Sequence, residues 1–477
     1  MSTIRTDSAG LGPTDPTGAS VTAVVGTGVA ATAAVPGARA AVGSLPAEPG
    51  PGPGPEGRGG GGGRGRRRGW RRIAAIAMVA GPGLVAANAG NDAAGIATYA
   101  SAGSQFTYGT LFFMVLVTIA LVMVQEMAVR LGAHTGKGLG ALIREQFSLR
   151  LTALAVGCLL LANTGLVVSE FAGIGAAFEL LGVPKWAVIP PAAGLLWALV
   201  LFGSYRWAER IFLVMSLAFF SYPIAMILGH PHWGEVGKNL AVPHMEPSSD
   251  FILLAVALIG TTVSPYMQFY AAAGVVDRGA KPEDYKLIRA DAVLGAIFAC
   301  LISLTIIIAT ASAIGGSGPL QSAAEAARAL EPVAGQGAEL LFAFGLLGAS
   351  ALAGAVVPLS ASYAIGEAAG VERSVSRRFR DAPLFLGVFT AQIALGAIVA
   401  LTPVDVIQLL IGTQVLQGLI SPIVLVYLLV LTNRRSLLGA AANSPRYRIA
   451  ATAVVVGVAL MSTILLVQTL LGWFGLA

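Results

Sequence analysis

The sequence contains little charge: only 11% of its 477 residues are Asp, Glu, Lys or Arg, whereas 56% are hydrophobic. Soluble domains carry about a quarter charged residues, so this composition excludes a typical soluble enzyme and also a fully disordered chain. Cysteine is scarce as well, since Cys158 and Cys300 are the only two and both lie in apolar runs. A disulfide framework or a cysteine metal cluster is therefore not expected. The composition predicts an all-α polytopic membrane protein that has lipid as its solvent.

The N-terminal segment differs from the rest of the chain. Residues 1–70 are rich in Gly, Pro, Ala and Ser and end in a cluster of arginines. Such a composition cannot bury a core, so these residues are predicted to form a disordered cytoplasmic tail before a transmembrane domain at 71–477. The net charge of +6 does not indicate a nucleic-acid partner, because the charges lie in this tail and in loops.

Apolar runs of roughly 20 residues are long enough to cross a bilayer. The chain contains eleven, numbered here as spans 1 to 11: about 73–99, 107–129, 151–180, 186–204, 209–228, 251–273, 288–314, 337–364, 383–401, 405–431 and 449–471. With the N-terminus in the cytoplasm, the cytoplasmic segments hold all but three of the 30 Lys and Arg residues, as the positive-inside rule requires. All four histidines are predicted to lie outside the spans.

Span 1 is interrupted by polar residues. Asn88, Asn91 and Asp92 lie midway along it, beside Gly90 and Gly95, which favour unwinding. A carboxylate at bilayer depth costs at least about 2.5–3.5 kcal/mol, so Asp92 is expected to face protein, water or an ion. The interruption is interpreted as half of an ion site, although polar residues that only hydrogen-bond neighbouring helices together remain an alternative.

Span 6 has a matching interruption. Thr261, Thr262 and Ser264 precede Pro265, which removes a backbone donor and breaks the helix. Two broken helices at corresponding places indicate a transport site at the middle of the membrane. Because spans 1–5 and 6–10 each open with a broken helix, we predict a LeuT-like fold of two inverted five-helix repeats. The predicted bounds are about 73–228 for repeat one and 251–431 for repeat two, with an additional helix at 449–471.

Several motifs resemble those of the natural resistance-associated macrophage protein (Nramp) family of divalent metal transporters. The resemblance runs from Gly81 into span 10 and is carried by Gly81-Pro82-Gly83, Asp92-Ala93-Ala94-Gly95, Ala102 to Tyr108, Arg130 to Lys137, Glu170 to Gly173, and Gln414 with Pro422 eight residues later. It implies the same fold and a divalent metal ion as the substrate.

The sequence also departs from the family pattern. The asparagine of the family's span 1 motif is Gly95, its metal-contacting methionine is Ser264, and its span 6 histidine is Tyr266. The acid expected three residues before Glu170 is Val167, and span 9 has no arginine. Similar losses mark the Nramp-related magnesium transporters, a branch thought to work without proton coupling.

The chemistry of the site agrees with this resemblance. A thioether favours transition metals, whereas the hydroxyl of Ser264 leaves only oxygen ligands, which suit Mg²⁺, Ca²⁺ or Mn²⁺. The smaller Ser264 and Gly95 are expected to widen the site for a partly hydrated ion. Carbonyl groups near Ala93 and Thr261 are expected to add dipoles. The candidate metal ligands are Asp92, Asn91, Gly95, Thr261, Ser264 and Gln414, with Asn88, Glu170 and Tyr266 in supporting roles.

We therefore expect a secondary transporter for Mg²⁺ and/or Mn²⁺ in the cytoplasmic membrane, acting in uptake and without proton coupling. The metal is the substrate, so no cofactor is expected. A cation-coupled carrier of amino acids or other small solutes is an alternative of the same fold, and a membrane sensor or scaffold is another. No arrangement of paired catalytic groups is apparent, so an enzyme is not expected. The oligomeric state is left open.

Overall fold

The computed structural model describes residues 92–201, 211, 214–215, 217–244, 246, 248–277, 279–370 and 382–473. These residues form helices connected by turns and loops, and no strand occurs among them. Twelve longer helices, α1 to α12, are in chain order Ala93–Phe106, Leu111–Thr135, Leu149–Glu179, Lys185–Leu201, Ser221–Leu228, Ser249–Thr262, Pro265–Asp277, Tyr285–Ile314, Ala338–Ala369, Pro383–Ala400, Val406–Asn433 and Pro445–Trp473.

The helices correspond to the predicted spans. Within the described part of the chain, eight helical segments are long and apolar enough to cross a membrane, and α4 and the segment ending in α5 are shorter apolar helices. Helix α1 is the second part of span 1, and α6 and α7 are the two parts of span 6. The predicted tail, the first part of span 1, Asn88 and Asn91 lie outside the described residues.

Helix α2 continues further than predicted. Span 2 was expected to end near residue 129, but α2 ends at Thr135, where Gly136 adopts a left-handed conformation (φ 63°) and caps the helix. Arg130 and His134 therefore lie in the last turns of a helix, and the prediction that placed them in a loop is wrong. Arg130 is buried and forms an ion pair of 3.1 Å with Glu126. The predicted span ended just before Arg130, because a count of apolar residues cannot show that Arg130 is buried and paired with Glu126.

The Glu126–Arg130 pair connects three helices at this end of the molecule. Tyr447 of α12 donates a hydrogen bond of 2.6 Å to Glu126 Oε2, and Tyr285 of α8 donates to Oε1. Arg130 donates to Asn443 Oδ1 at 2.5 Å, just before α12. The charges of the buried pair are thus satisfied by hydrogen bonds as well as by each other, which is the condition for such a pair to be tolerated.

Helix α1 lies at the centre of the bundle, in contact with α3, α6, α8 and α11. Small residues allow these backbones to approach closely. A Cβ atom added at Gly103 would lie 2.4 Å from the carbonyl oxygen of Ile307 in α8. A Cβ at Gly173 of α3 would lie 2.5 Å from the Ala93 Cβ, at the start of α1. These contacts hold the broken end of span 1 against α3.

The break in span 6 is short. Helix α6 ends at Thr262, Val263 and Ser264 are non-helical, and α7 begins at Pro265. The Val263 N–H still donates to Ile259 at 2.7 Å, but Pro265 has no N–H with which to continue the ladder. Proline suits the first position of a helix, so the same residue ends α6 and starts α7. The prediction of a broken helix around Ser264 and Pro265 is confirmed by these bounds.

Candidate metal site at the helix breaks

Asp92 immediately precedes α1 and caps its N-terminus. Its Oδ1 accepts a hydrogen bond of 2.6 Å from the Gly95 N–H, and the residue is only 3% exposed. A capping carboxylate is favoured at this end of a helix by both the free N–H groups and the helix dipole. Asp92 therefore has a local structural role in addition to any role with an ion. The capping role was not recognised from the sequence.

Gly95 allows the two breaks to approach each other. A Cβ atom at this position would lie 2.6 Å from Thr261 Oγ1 and 3.0 Å from Asp92 Oδ1. The expectation that Gly95 widens the site is therefore wrong, because the Thr261 hydroxyl occupies the space that a side chain would need. Thr261 Oγ1 is buried and makes no hydrogen bond of normal geometry with the residues that the structure describes. Asp92, Gly95 and Thr261 are thus brought together.

Ser264 lies in the break of span 6. Its hydroxyl donates to the Gly260 carbonyl at 2.6 Å, so its proton is used and its oxygen lone pairs stay available. When the side-chain amide of Gln268, one turn into α7, is oriented with its nitrogen toward them, it donates to the carbonyls of Ser264 and Pro265 at 2.6 and 2.7 Å. The capacity of the Ser264 carbonyl to bind an ion is therefore partly taken by its hydrogen bond from Gln268, a residue that was not singled out in the sequence.

Helix α6 ends at its break, whereas helix α1 begins at its break, so the two helix dipoles present ends of opposite charge there. Helix α6 ends at Thr262, so the last carbonyls of α6, including that of Thr261, lack helical N–H partners and are directed at the break. Helix α1 begins at Ala93, so the Ala93 carbonyl belongs to the first helical turn. The Ala93 carbonyl itself is therefore not free, and the residues before Asp92, where the other carbonyls near Ala93 would lie, are outside the described residues. Negative helix-end charge at α6 and the Asp92 carboxylate at α1 both favour a cation.

Glu170 of α3 faces the start of α1. Its side chain is fully buried, and neither carboxylate oxygen makes a hydrogen bond of normal geometry. Its electrostatic neighbours include Asp92 and the Ala93 N–H. Tyr266, in the first turn of α7, interacts electrostatically with both Asp92 and Glu170. The structure therefore groups two buried carboxylates and a phenol at the point where α1, α3 and α7 meet.

Gln414 of α11 lies beside the crossing of α6 and α11. A Cβ at Gly260 would lie 1.9 Å from the Gln414 carbonyl oxygen, so the two backbones are in direct contact. The Gln414 side chain is fully buried, and neither of its amide atoms has a partner. An amide that is buried without partners is suited to an ion or to ordered water. Here too the structure places a predicted site residue at the breaks.

The set of ligands is poor in charge. Among the residues that the structure describes, no group of three or more His, Cys, Asp or Glu side chains is arranged to hold a metal ion. The breaks instead offer two carboxylates together with neutral hydroxyl, amide and carbonyl oxygens. Such oxygen sites are typical of hard cations, and Mg²⁺ in particular is usually held by one or two carboxylates and several waters.

Other polar residues near the breaks were not found by sequence reasoning. Tyr99 of α1 is hydrogen-bonded to Thr262 Oγ1 at 3.0 Å, and Ser421 of α11 donates to the Val263 carbonyl at 2.7 Å. Gln417 of α11 is fully buried with no partner for either amide atom. The available signal was the spacing of Gln414, Gln417 and Ser421, which places all three on one side of a helix.

Buried carboxylates and unsatisfied oxygens lie where α1 begins and where span 6 is broken, as expected for a polytopic membrane protein with a LeuT-like transporter fold. A family model described as natural resistance-associated macrophage protein-like matches residues 83–468, which include α1 to α11 and most of α12. The chain belongs to this family, and the resemblance seen in the motifs is confirmed.

Two bacterial relatives illustrate the similarity. The divalent metal cation transporter MntH of Aeromonas hydrophila is 28% identical over 378 residues, covering 76% of this chain and 89% of that protein. The divalent metal cation transporter MntH of Ralstonia nicotianae is 30% identical over 389 residues, covering 76% of this chain and 85% of that protein. The similarity therefore extends over most of each protein.

Solved structures show the same fold. The manganese transporter of Eremococcus coleocola, in complex with an aromatic bis-isothiourea substituted compound, matches with a TM-score of 0.66 at 19% identity. A mutant of that transporter matches with a TM-score of 0.64 and covers 85% of this chain and 89% of its own. The predicted LeuT-like fold is confirmed.

Proposed function

We propose that this chain is a secondary transporter that moves divalent metal cations, Mg²⁺ and/or Mn²⁺, across the cytoplasmic membrane into the cell. The observation that carries the proposal is the pair of neighbouring buried carboxylates, Asp92 and Glu170, together with the buried Thr261 hydroxyl beside Gly95 and the buried, unsatisfied amide of Gln414. Two buried like charges are unfavourable together, and a divalent cation between broken helices would compensate both. The names of the bacterial relatives agree with this substrate class.

The residues of the site favour Mg²⁺ over softer metals. Ser264 offers a hydroxyl oxygen, and its proton is already donated to Gly260. No sulfur ligand is needed by a hard cation, whereas a transition metal would gain from one. The few charged ligands also suit an ion that keeps part of its water, as Mg²⁺ does. This reasoning supports the proposal that the chain belongs with the magnesium transporters of the family.

We propose that transport is not coupled to protons. Val167, at the position where the family pattern predicts an acid, is fully buried and packs against α10. A Cβ at Gly396 of α10 would lie 2.6 Å from Val167 Cγ1, so this contact between α3 and α10 is apolar. His134, in the last turn of α2, is partly exposed and remote in sequence from both breaks. Among the described residues beside the breaks, the carboxylates of Asp92 and Glu170 are then the groups left to carry a proton.

The distribution of Lys and Arg supports a cytoplasmic N-terminus, with the tail of residues 1–70 on that side. We further propose that the transporter domain, which follows this tail, occupies 71–477. Its two repeats extend over about 73–228 and 251–431, and the helix at 449–471 is added to them.

A carrier of amino acids is the second candidate function. In carriers of this fold, the first N–H groups after the break in span 1 bind the carboxylate of the substrate. Here Asp92 Oδ1 already accepts from the Gly95 N–H at 2.6 Å. A substrate carboxylate would meet a protein carboxylate at the same place, so this arrangement favours a cation.

The proposal is tested with purified protein in liposomes that contain a pH-sensitive dye. Uptake of Mg²⁺, Mn²⁺, Ca²⁺ and Cd²⁺ is compared with uptake by protein-free liposomes, with and without a mixture of amino acids outside. We expect saturable Mg²⁺ and Mn²⁺ uptake that amino acids do not reduce. Competition by an amino acid without any metal uptake would favour the second candidate, and no flux of any kind would favour a sensor or scaffold.

A further inference from the structure

Gln417 of α11 is a buried polar residue that no hydrogen bond to a described residue satisfies. It is fully buried, and neither Oε1 nor Nε2 has a hydrogen-bond partner. A buried polar group without a partner is destabilising, because it has lost its hydrogen bonds to water. A glutamine that does nothing more than fill space is therefore less favourable here than a leucine of similar length, which suggests that the amide has a ligand.

The position of Gln417 along α11 is fixed by its neighbours. Three residues before it, the backbone carbonyl of Gln414 contacts Gly260, where a Cβ would lie 1.9 Å away. Four residues after it, Ser421 Oγ donates to the Val263 carbonyl at 2.7 Å. Gly260 and Val263 flank the end of α6, so Gln417 lies level with the break of span 6.

The direction of Gln417 follows from the helical repeat of about 100° per residue. On one side of it, Thr413 faces α3, where a Cβ at Gly165 would lie 4.0 Å from the Thr413 Cβ. On the other side, Ser421 faces the break. Gln417 therefore points between α3 and the end of α6. Helix α1 contacts α3, α6 and α11 and fills this corner, with Asp92 at its start.

We propose that Gln417 is a specificity-determining residue of the metal site, whose amide oxygen accepts a hydrogen bond from a water molecule that the bound ion retains. This inference rests on the proposed transport of a divalent cation. Water bound to a divalent cation is a strong hydrogen-bond donor, and a neutral amide oxygen accepts from it without adding charge. Gln417 thereby stabilises a partly hydrated ion and not a fully dehydrated one.

This role distinguishes Mg²⁺ from Mn²⁺. Mg²⁺ dehydrates reluctantly and keeps several waters when it binds, so it depends more on groups that hold those waters. Mn²⁺ binds nitrogen and oxygen ligands of the protein more readily and loses less when such a group is removed. Removal of the Gln417 amide should therefore affect Mg²⁺ more strongly than Mn²⁺.

Gln392 provides a matched control. It is also a buried glutamine, 1% exposed, with no partner for either amide atom. It lies in α10, which packs against α3, α4 and α9 and not substantially against the broken helices. If burial of an unpartnered amide were the only relevant property, Gln392→Leu and Gln417→Leu would have the same effect.

The test uses the full-length protein in liposomes and two probes. Initial rates of Mg²⁺ and Mn²⁺ uptake are measured for wild type, Gln417→Leu and Gln392→Leu. Inhibition by cobalt(III) hexaammine is measured as well, because its ammonia ligands do not exchange and it binds only through outer hydrogen bonds and charge. Gln417→Met is a second apolar variant in case Gln417→Leu does not fold.

We expect Gln417→Leu to raise the half-saturating Mg²⁺ concentration and the half-inhibitory cobalt hexaammine concentration about tenfold, which equals ~1.4 kcal/mol. We expect Gln417→Leu to raise the half-saturating Mn²⁺ concentration about threefold or less, and we expect Gln392→Leu to change none of these concentrations. Equal losses for both metals, or equal effects of the two leucine variants, would overturn the role of Gln417. A wild type that carries neither Mg²⁺ nor Mn²⁺ would overturn the proposed function itself, whereas normal Mg²⁺ uptake by Gln417→Leu would overturn only this inference.

Discussion

Replacing Asp92 by asparagine removes one charge from the site and leaves the rest of the local structure in place. Asparagine is as good an N-cap as aspartate, and its side-chain oxygen can accept the same hydrogen bond from the Gly95 N–H. The start of α1 should therefore be preserved. We expect the Asp92→Asn protein to fold and to lose divalent metal transport.

The size of the loss follows from electrostatics. Two unit charges about 4 Å apart, a separation that leaves room for one water, interact by about 4 kcal/mol at an effective dielectric constant of about 20. A divalent ion doubles this value to about 8 kcal/mol. The desolvation of the ion and of the buried carboxylate opposes most of it. If one third survives, about 2.7 kcal/mol, binding weakens about 100-fold.

The assay is the initial rate of Mg²⁺ uptake into liposomes over a wide concentration range, with thermal unfolding in detergent as the test of folding. Asp92→Ala is the matched variant, since it removes the charge and also the cap, and should lower stability by about 1 kcal/mol more. Full-rate uptake by a well-folded Asp92→Asn protein would refute the assignment of Asp92 to the ion.

Three further predictions concern selectivity, coupling and packing. Ser264→Met should abolish Mg²⁺ transport and tighten Cd²⁺ or Mn²⁺ binding about tenfold in calorimetric titration, because a thioether favours softer metals and narrows the site. Unchanged metal affinities would mean that Ser264 does not face the ion. Metal uptake should leave the pH inside liposomes constant, and acidification in a fixed ratio to uptake would show that transport is coupled to protons. Gly260→Ala should destabilise the protein by about 1–3 kcal/mol or prevent folding, since its Cβ would lie 1.9 Å from the Gln414 carbonyl. In the control variant Gly157→Ala the added Cβ meets no atom within 4 Å, so this variant should not lose stability. A thermal shift in detergent measures the difference, and equal melting temperatures would contradict the crossing of α6 and α11.

The overall architecture could be predicted from the sequence because hydrophobicity and charge are local properties. Runs of apolar residues and the alternation of Lys and Arg between the two sides identified the spans, and Pro265 located the break in span 6 within a residue. The end of α2 was missed because Glu126 and Arg130 satisfy each other inside the bundle. Tyr447 and Tyr285, which donate hydrogen bonds to Glu126, lie far away in sequence and approach it only in the folded protein.

The site could be predicted in part. Motifs indicated Asp92 and Gln414, but not that Thr261 Oγ1 occupies the space above Gly95. That contact joins residues from two different repeats, and no spacing along the chain reports it. Gln417 was overlooked for a similar reason, since a glutamine in an apolar helix is noticeable only when its lack of partners is known.

The central claim is that a divalent cation binds at the breaks of spans 1 and 6 and that Mg²⁺ occupies the same place. Electron paramagnetic resonance of Mn²⁺ titrated into the purified protein tests it directly, because free and bound Mn²⁺ give different signals. We predict one Mn²⁺ site that Mg²⁺ empties competitively and that Asp92→Asn weakens about 100-fold. Mn²⁺ binding that is unaffected by Asp92→Asn, or that Mg²⁺ does not displace, would contradict the account.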